Sequence, residues 1–366
     1  MTPVAERLAR RIALTGPITV AEFMSACLTD PDGYYAQREP FGTAGDFITA
    51  PEISQMFGEI VGAFLLDRWQ ADGRPAPFDL VELGPGRGTL MRDVLRVCAT
   101  DPRFIGASRV VLVEASDRLR QLQRRTLAPL HPNVAWADGP PTERPFYLVA
   151  NEFFDALPVR QVVRRDGRWY ERVVGLADGA LAFGLSPFPL TLSADAPEGA
   201  VRELRPGAET MIRTIAQGLV THDVGSALVI DYGYATAGTP DATTGFGETL
   251  QAVRGHQHVD VLDRPGESDL SAHVDFTALA TAATSAGAVA HGPVDQGDFL
   301  VNLGLLQRAG ALGSRAGDDE RAMIEAVVRR LAGAGEGEMG TLFKALAITA
   351  RPAPPPGFQV VNGPAD

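Results

Sequence analysis

Residues 78–90 read FDLVELGPGRGTL. A short apolar run ends in an acid, three glycines follow within five residues, and helix-compatible text opens at once. Few folds tolerate so bare a backbone where a buried strand stops. At a strand-to-helix turn, glycine permits backbone angles closed to other residues and lets a ligand approach the main chain. This stretch therefore predicts an α/β fold with a ligand seated at the end of its first strand.

The text that follows alternates. RVVLVEAS (109–116) is strand-like, DRLRQLQRRTL (117–127) helical, and VAWAD (134–138) and FYLVANEFF (146–154) are further strands. Strands separated by helices predict a mostly parallel sheet with helices on both faces, Rossmann-like in plan. Residues 1–77 read as an N-terminal helical and lid region, and 78–350 as the main domain, with insertions at about 159–205 and 235–340. In the first insertion a hairpin turns at Asp166-Gly167. A buried strand, SALVIDYGY (226–234), ends in an acid, and helices are expected over 207–222, 273–287, 299–310 and 317–333. The proline-rich end, 351–366, reads as a loose tail.

Three ligands compete for the glycine loop. A phosphate-binding P-loop needs a Gly-Lys-Ser/Thr that is absent. A dinucleotide fingerprint spaces its glycines G-x-G-x-x-G, whereas this loop is G-x-G-x-G. The third ligand is S-adenosylmethionine (SAM), whose methyltransferases carry acid-x-G-x-G-x-G, and Glu82 to Gly88 fits at every fixed place. Glu114 closes the second strand, where a carboxylate can accept both ribose hydroxyls. A solvated strand-end acid is the plainer reading. The insertion VCATDPRFIGAS explains why Glu114 lies further from the loop than the simple unit requires. Asp138, ending the third strand, either meets the adenine amino group or forms a turn. Asn151 and Glu152 end the fourth strand, and Glu152 and Asp155 flank Phe153 and Phe154, an apolar pocket with acidic tips that suits a guanidinium or an amine. Asp155 serves equally as a helix cap. The cofactor-binding set is thus Glu82, Gly84, Pro85, Gly86, Gly88, Glu114, Asp138 and Asn151.

Composition narrows the partners. A net charge of −12, with no cluster of basic residues beyond short runs such as Arg124-Arg125, argues against nucleic acid. The two cysteines, Cys27 and Cys98, lack metal-ligand spacing and read as reduced core thiols, which places the protein in the cytoplasm. No apolar stretch has the length of a membrane span. Apolar helical faces near 299–333 serve either a homodimer or the core. His256, His258 and Asp260 invite a metal, but methyl transfer needs none, and no metal is expected.

Several blocks together resemble a known family. GDFITAPEISQMFGE (45–59), VELGPGRGTL (81–90), ANEFFDALPV (150–159), GETLQAVRGH (247–256), HVDF (273–276) and MGTLFKALAI (339–348) are similar to those of the MidA-like SAM-dependent methyltransferases. That family includes the mitochondrial complex I assembly factor that methylates an arginine. The resemblance implies a class I methyltransferase core with an added helical region, and SAM held by Gly84, Gly86, Gly88 and Glu114. It also implies a protein arginine as substrate, on the corresponding subunit of a bacterial NADH dehydrogenase. The alternatives are a small-molecule acceptor and a SAM-binding assembly chaperone that acts by protein interaction.

Methyl transfer from a sulfonium is an in-line displacement with a neutral leaving group. Positioning is then the main task, worth about 7–11 kcal/mol. An arginine nucleophile stays protonated at neutral pH, so a carboxylate that grips it and localises its charge is required. Glu152 is expected in that role, with Asp155 second. Asp46 and Glu52, in the GDFITAPE block, are expected to lid the site. His256 is expected to accept the released proton.

Overall fold

Six consecutive buried residues, Phe78–Leu83, form strand β1 of the larger sheet. The computed structural model describes residues 1–37, 49–192, 196–235 and 246–359. These fall into two units, one of Thr49–Phe153, Thr210–Ala235 and Leu279–Asp366, the other of Met1–Ile48, Phe154–Glu209 and Thr236–Ala278. This division corrects the expected boundaries. The first 77 residues do not form one region, and the text between 235 and 340 is shared by both units. The chain crosses between the units repeatedly, and a boundary read from local composition cannot register such crossings.

In the first unit, β1 is joined by β2 (Ser108–Val113), β3 (Val134–Ala137), β4 (Phe146–Asn151), β5 (Ser226–Tyr234), β6 (Val289–Asp295) and β7 (Phe343–Thr349). Their order across the sheet is β6-β7-β5-β4-β1-β2-β3. Strands β1 to β5 pair in parallel. Strand β7 runs antiparallel to both β5 and β6. This is the expected Rossmann-like sheet with one reversed strand, and β6 was not legible in the sequence. β4 ends at Asn151 rather than at 154, because Glu152 turns the chain with φ +50°. β2 ends at Val113, and Ser116 instead caps the helix Asp117–Leu127.

One face of the sheet is covered by helices Gln55–Ala71 and Thr89–Cys98, which approach closely. A Cβ at Gly58 would stand 2.7 Å from Asp93 Cβ, and one at Gly62 3.0 Å from Val94 Cα. Gly58, the second glycine of the block 45–59, is therefore a packing residue. Trp69 of the first of these helices, Phe78, Phe104 and Tyr147 meet edge-on or tilted, with Phe78 and Phe104 centroids 4.9 Å apart. Phe104 belongs to Pro102–Ala107, a short helix inside the insertion that lengthens the path to Glu114. Phe299, Leu300, Leu305 and Leu331 also enter this core, so much of the apolar face near 299–333 is interior. The tail is tied down as far as it is described. Phe358 is buried against Phe64 and Phe299, which corrects the reading of 351–366 as loose from its start.

The second unit is antiparallel. Strands Ile18–Thr19, Arg168–Ala177, Arg160–Arg165 and Val201–Leu204 pair in that order, and Ala180–Leu190 flanks Arg168–Ala177. The predicted hairpin turn stands, with positive φ at Asp166 and Gly167. A smaller sheet joins Gln257–Val259, Gln251–Arg254 and Asp269–Ser271. Helices Pro3–Thr15 and Val20–Thr29 contribute Leu8, Ile12, Phe23 and Met24 to the core, the second helix opening on a Thr19/Glu22 capping box. Cys27 and Cys98 are both buried free thiols. No helix among the described residues is long and apolar enough to cross a membrane.

Candidate functional site

From β1 the chain winds outward through β2 and β3, then returns to place β4 and β5 on the other side of β1. Connections therefore leave β1 and β4 in opposite directions. The crevice outside their carboxyl ends is where an open α/β sheet binds ligands. Leu83 pairs with Ala150, so Gly84 and Asn151 stand at that point.

The glycines there are required by geometry. Gly84, Gly86 and Gly88 have φ of +61°, +51° and +79°, in the left-handed region where other residues are strained. At Gly84 space is also closed, since an added Cβ would lie 2.8 Å from Phe153 Cδ2. The Gly84 N–H donates to the Val113 carbonyl at 3.0 Å, and the Gly88 N–H to the Pro85 carbonyl at 2.7 Å. Gly88 is the N-cap of helix Thr89–Cys98.

Glu82 lies beneath this loop, 3% exposed, and its Oε2 has no hydrogen-bond partner. Burial pushes its carboxyl up to about 8, the Met91 backbone N–H offsets part of that rise, and the charge of Glu114 adds to it. Glu114 is half-buried just beyond β2. Its Oε1 accepts from the Ser116 N–H at 2.8 Å and its Oε2 from Gln123 Nε2 at 3.2 Å. Burial raises its pKa too, although Ser116, Gln123, Ala115 and Arg120 all act the other way. Burial holds both carboxyls above their ordinary range, and a cationic ligand would favour their charged forms.

Across the crevice Asn151 Nδ2 donates to Glu152 Oε1 at 3.1 Å, and its own Oδ1 is buried without a partner. Glu152 Oε1 also accepts from the Ala50 N–H at 3.2 Å. A non-glycine residue at φ +50° costs about 1–3 kcal/mol, and such strain gathers at functional sites. The bend is held from behind. Glu152 N–H donates to the Ile230 carbonyl at 2.9 Å, and the fully buried Asp231 accepts from the N–H groups of Phe153 and Tyr232 at 3.1 and 3.0 Å. Glu52 sits in the short helix Ala50–Ile53, and its Oε1 accepts from Thr89 Oγ1 at 2.5 Å. It thus touches the first residue of the helix that leaves the glycine loop.

The remaining expected residues have surroundings of their own. The Asp138 carboxylate is 98% exposed and pairs with Arg120 at 3.1 Å, which accounts for it without an adenine. Asp155 belongs to the other unit, where its carbonyl accepts from the Ala272 N–H at 2.9 Å and its charge, after burial and Asp269, helps raise the pKa of Tyr35. His256 is exposed at a two-residue hairpin turn, with Gly255 and His256 both at positive φ. Asp46 lies outside the described residues. Among the described residues no three His, Cys, Asp or Glu side chains are grouped to hold a metal.

Sequence reasoning missed two members of the site, Asp231 and Gln123. Asp231 was read only as a strand-end acid. Gln123 sits four residues from both Leu119 and Leu127 on the buried stripe of its helix, and a polar residue on an apolar stripe was the available signal.

Comparison with known proteins follows the same lines. A family model described as S-adenosyl-L-methionine-dependent methyltransferase matches residues 60–294. The chain is 38% identical to the rat protein named protein arginine methyltransferase NDUFAF7, mitochondrial, over 87% of this chain and 78% of the relative. It is 36% identical to the Drosophila melanogaster homologue of that protein, over 94% of this chain and 84% of the relative. A crystal structure of a Burkholderia thailandensis protein bound to S-adenosylhomocysteine superposes with a TM-score of 0.81 at 29% identity, covering 97% of this chain and 92% of that one.

Proposed function

Because the chain belongs to the S-adenosyl-L-methionine-dependent methyltransferases, we propose that it methylates an arginine side chain of a protein. Enzyme class and cofactor follow from the family; the acceptor and the residue roles are our reading. The observation that carries those roles is the pair of carboxyls beneath and beside the glycine loop, Glu82 with a partnerless buried oxygen and Glu114 with a raised pKa.

The residues present fit the cofactor. Gly84 and Gly86 offer bare backbone to the adenosyl moiety, and Glu114 offers acceptors to ribose hydroxyls. Asn151 Oδ1 is a buried acceptor awaiting a donor, and Glu82 Oε2 becomes one when a neighbouring ammonium favours the ionised carboxylate. Bound SAM supplies an electrophilic methyl group on a sulfonium. Glu152 grips the guanidinium by charge-assisted hydrogen bonds and draws its charge to the far nitrogens. The near nitrogen would accept the methyl group that bound SAM supplies, and the proton it gives up would pass to solvent. The leaving thioether is neutral, so the site needs no oxyanion hole. Asn151, Asp231 and the Ala50 N–H hold Glu152 in place.

Two relatives support the arginine assignment by their names, and a subunit of a respiratory NADH dehydrogenase as the protein is our reading from the resemblance in the outer blocks alone. The test is methyl transfer from radiolabelled SAM to a lysate of cells lacking the gene, with wild type and Glu152→Gln, followed by mass spectrometry of the labelled protein. Wild type should label one protein on arginine and the variant should lose at least about 100-fold in rate, as for a lost charge-stabilising contact. Label on lysine or in the small-molecule fraction overturns the acceptor, and equal labelling removes Glu152 from the chemistry.

A further inference from the structure

We propose that Gln123 is the positioning residue of the cofactor seat, acting through Glu114 and Gly86 and itself oriented by Trp136. This inference rests on the SAM site read above. Gln123 is 0% exposed. Its Nε2 donates to the Gly86 carbonyl at 2.8 Å and to Glu114 Oε2 at 3.2 Å, so one amide nitrogen ties the glycine loop to the carboxylate offered to the ribose. Its Oε1 accepts from Trp136 Nε1 at 2.8 Å. An indole N–H can only donate, so the amide cannot turn over without setting two donors face to face. The Arg124 guanidinium lies 4.3 Å above the Trp136 ring and holds the indole in turn.

No other side chain meets these demands. The position needs two donors and one acceptor, fully buried, at the reach of a glutamine. A glutamate would set a second carboxylate against Glu114 and the Gly86 carbonyl. A lysine lacks the acceptor, and an asparagine falls a methylene short. The same helix supplies Thr126, whose one hydroxyl proton is shared between the Leu122 carbonyl at 3.1 Å and the Arg87 carbonyl at 3.3 Å. Two successive loop carbonyls, 86 and 87, are thus drawn toward one face of the helix Asp117–Leu127. Gly88, at φ +79°, lies beside this helix, its Cβ position an ordinary van der Waals distance of 3.6 Å from Gln123 Cγ. Gln123 is the point where loop, carboxylate and the third strand of the sheet are fastened together, and the seat's dimensions follow from it.

The experiment is isothermal titration of S-adenosylhomocysteine into wild type, Q123M, Q123E, W136F, E114A and L127A, each with its thermal midpoint recorded. Q123M keeps the packing and removes the polar atoms; L127A destabilises the same helix away from the seat. Q123M should bind about tenfold or more weaker, as for one buried polar partner lost. L127A should bind as wild type does, despite a lower midpoint. W136F should weaken binding about threefold, within the range of one neutral hydrogen bond. Q123E should bind weakest at pH 8.5 and recover toward pH 5.5, where its protonated carboxyl stops repelling Glu114 and regains a donor. Binding by Q123M within twofold of wild type overturns the inference, as does an L127A that weakens in step with its midpoint. If Q123M does not fold, an unchanged affinity in W136F overturns it. Should wild type itself not bind, the cofactor seat falls as a whole. Loss in E114A with retention in Q123M removes Gln123 alone.

Discussion

Glu82 and Glu203 are both strand glutamates, 3% and 9% exposed, yet they are opposites. Glu203, in the antiparallel unit, is surrounded by donors. Arg205 Nη2 lies 2.9 Å from its Oε2; Gln161 Nε2, the Thr249 N–H and the Leu250 N–H reach its Oε1 at 3.0, 3.0 and 3.1 Å; and the Thr249 hydroxyl completes the set. Burial pushes its pKa up, but Arg205, Thr249 and Gln161 together bring it below the ordinary range. Glu82, in the parallel unit, has one backbone N–H and an oxygen with no partner. A buried acid whose needs are met inside the protein is a strut. One whose needs are left open is waiting for a ligand. Strut and seat can be told apart by what each loses on mutation.

The largest expected effect is on the strut. Glu203→Ala leaves Arg205, 4% exposed, without its carboxylate, and should cost about 3–5 kcal/mol in urea unfolding. An unchanged midpoint would remove Glu203 as a structural centre. The reverse pattern belongs to the seat. Gly84→Ala, strained by φ +61° and blocked by Phe153, should cost about 1–2 kcal/mol of stability. It should also weaken SAM binding more than any other single change in the loop. Retained affinity in calorimetry would show that the loop does not touch the cofactor.

pH separates the two acids without mutation. Between 4.5 and about 8 the folded chain keeps a proton on Glu82 that the unfolded chain has released, so raising pH through that window favours unfolding. Glu203 contributes the opposite slope, its stabilisation being lost as pH falls below the ordinary carboxylate value. Glu82→Gln should flatten this loss in thermal melts taken between pH 4.5 and about 8. It should also weaken SAM about tenfold at pH 8, where the ionised acid would meet a cation. A melt profile identical to wild type would show that Glu82 ionises normally.

The sequence disclosed the parts of this molecule whose causes are local. β1 and its loop were legible because burial writes a continuous apolar run and sharp backbone turns demand glycine within a few residues. Glu114 was found because the carboxyl end of the second strand is a fixed place in such a unit. The Glu203 network was not legible, since it gathers residues 161, 203, 205 and 249 from separate stretches, and nothing near any one of them announces the others. Thr249, in the block 247–256, was noticed only through resemblance, and the structure gives it a structural reason to be there. Asp231 and Gln123 escaped for the same cause, because each acts on backbone dozens of residues away. Phe358 escaped because a proline-rich end looks unanchored until its partners are known.

The smallest predicted effect lies where strain and function coincide. Glu152→Gly relieves φ +50° but gives up the bonds to Ala50 and Asn151, so its stability should stay within about 1 kcal/mol of wild type while methyl transfer is lost. A variant that loses both would make Glu152 a strut like Glu203.

The left-handed bend at Glu152 has a consequence for anyone who evolves or redesigns this protein. Selection for heat tolerance alone exerts no pull to keep a glutamate there and accepts glycine readily. A hardened variant can then pass every test of folding and still be inert, so any such campaign has to screen for turnover from its first round.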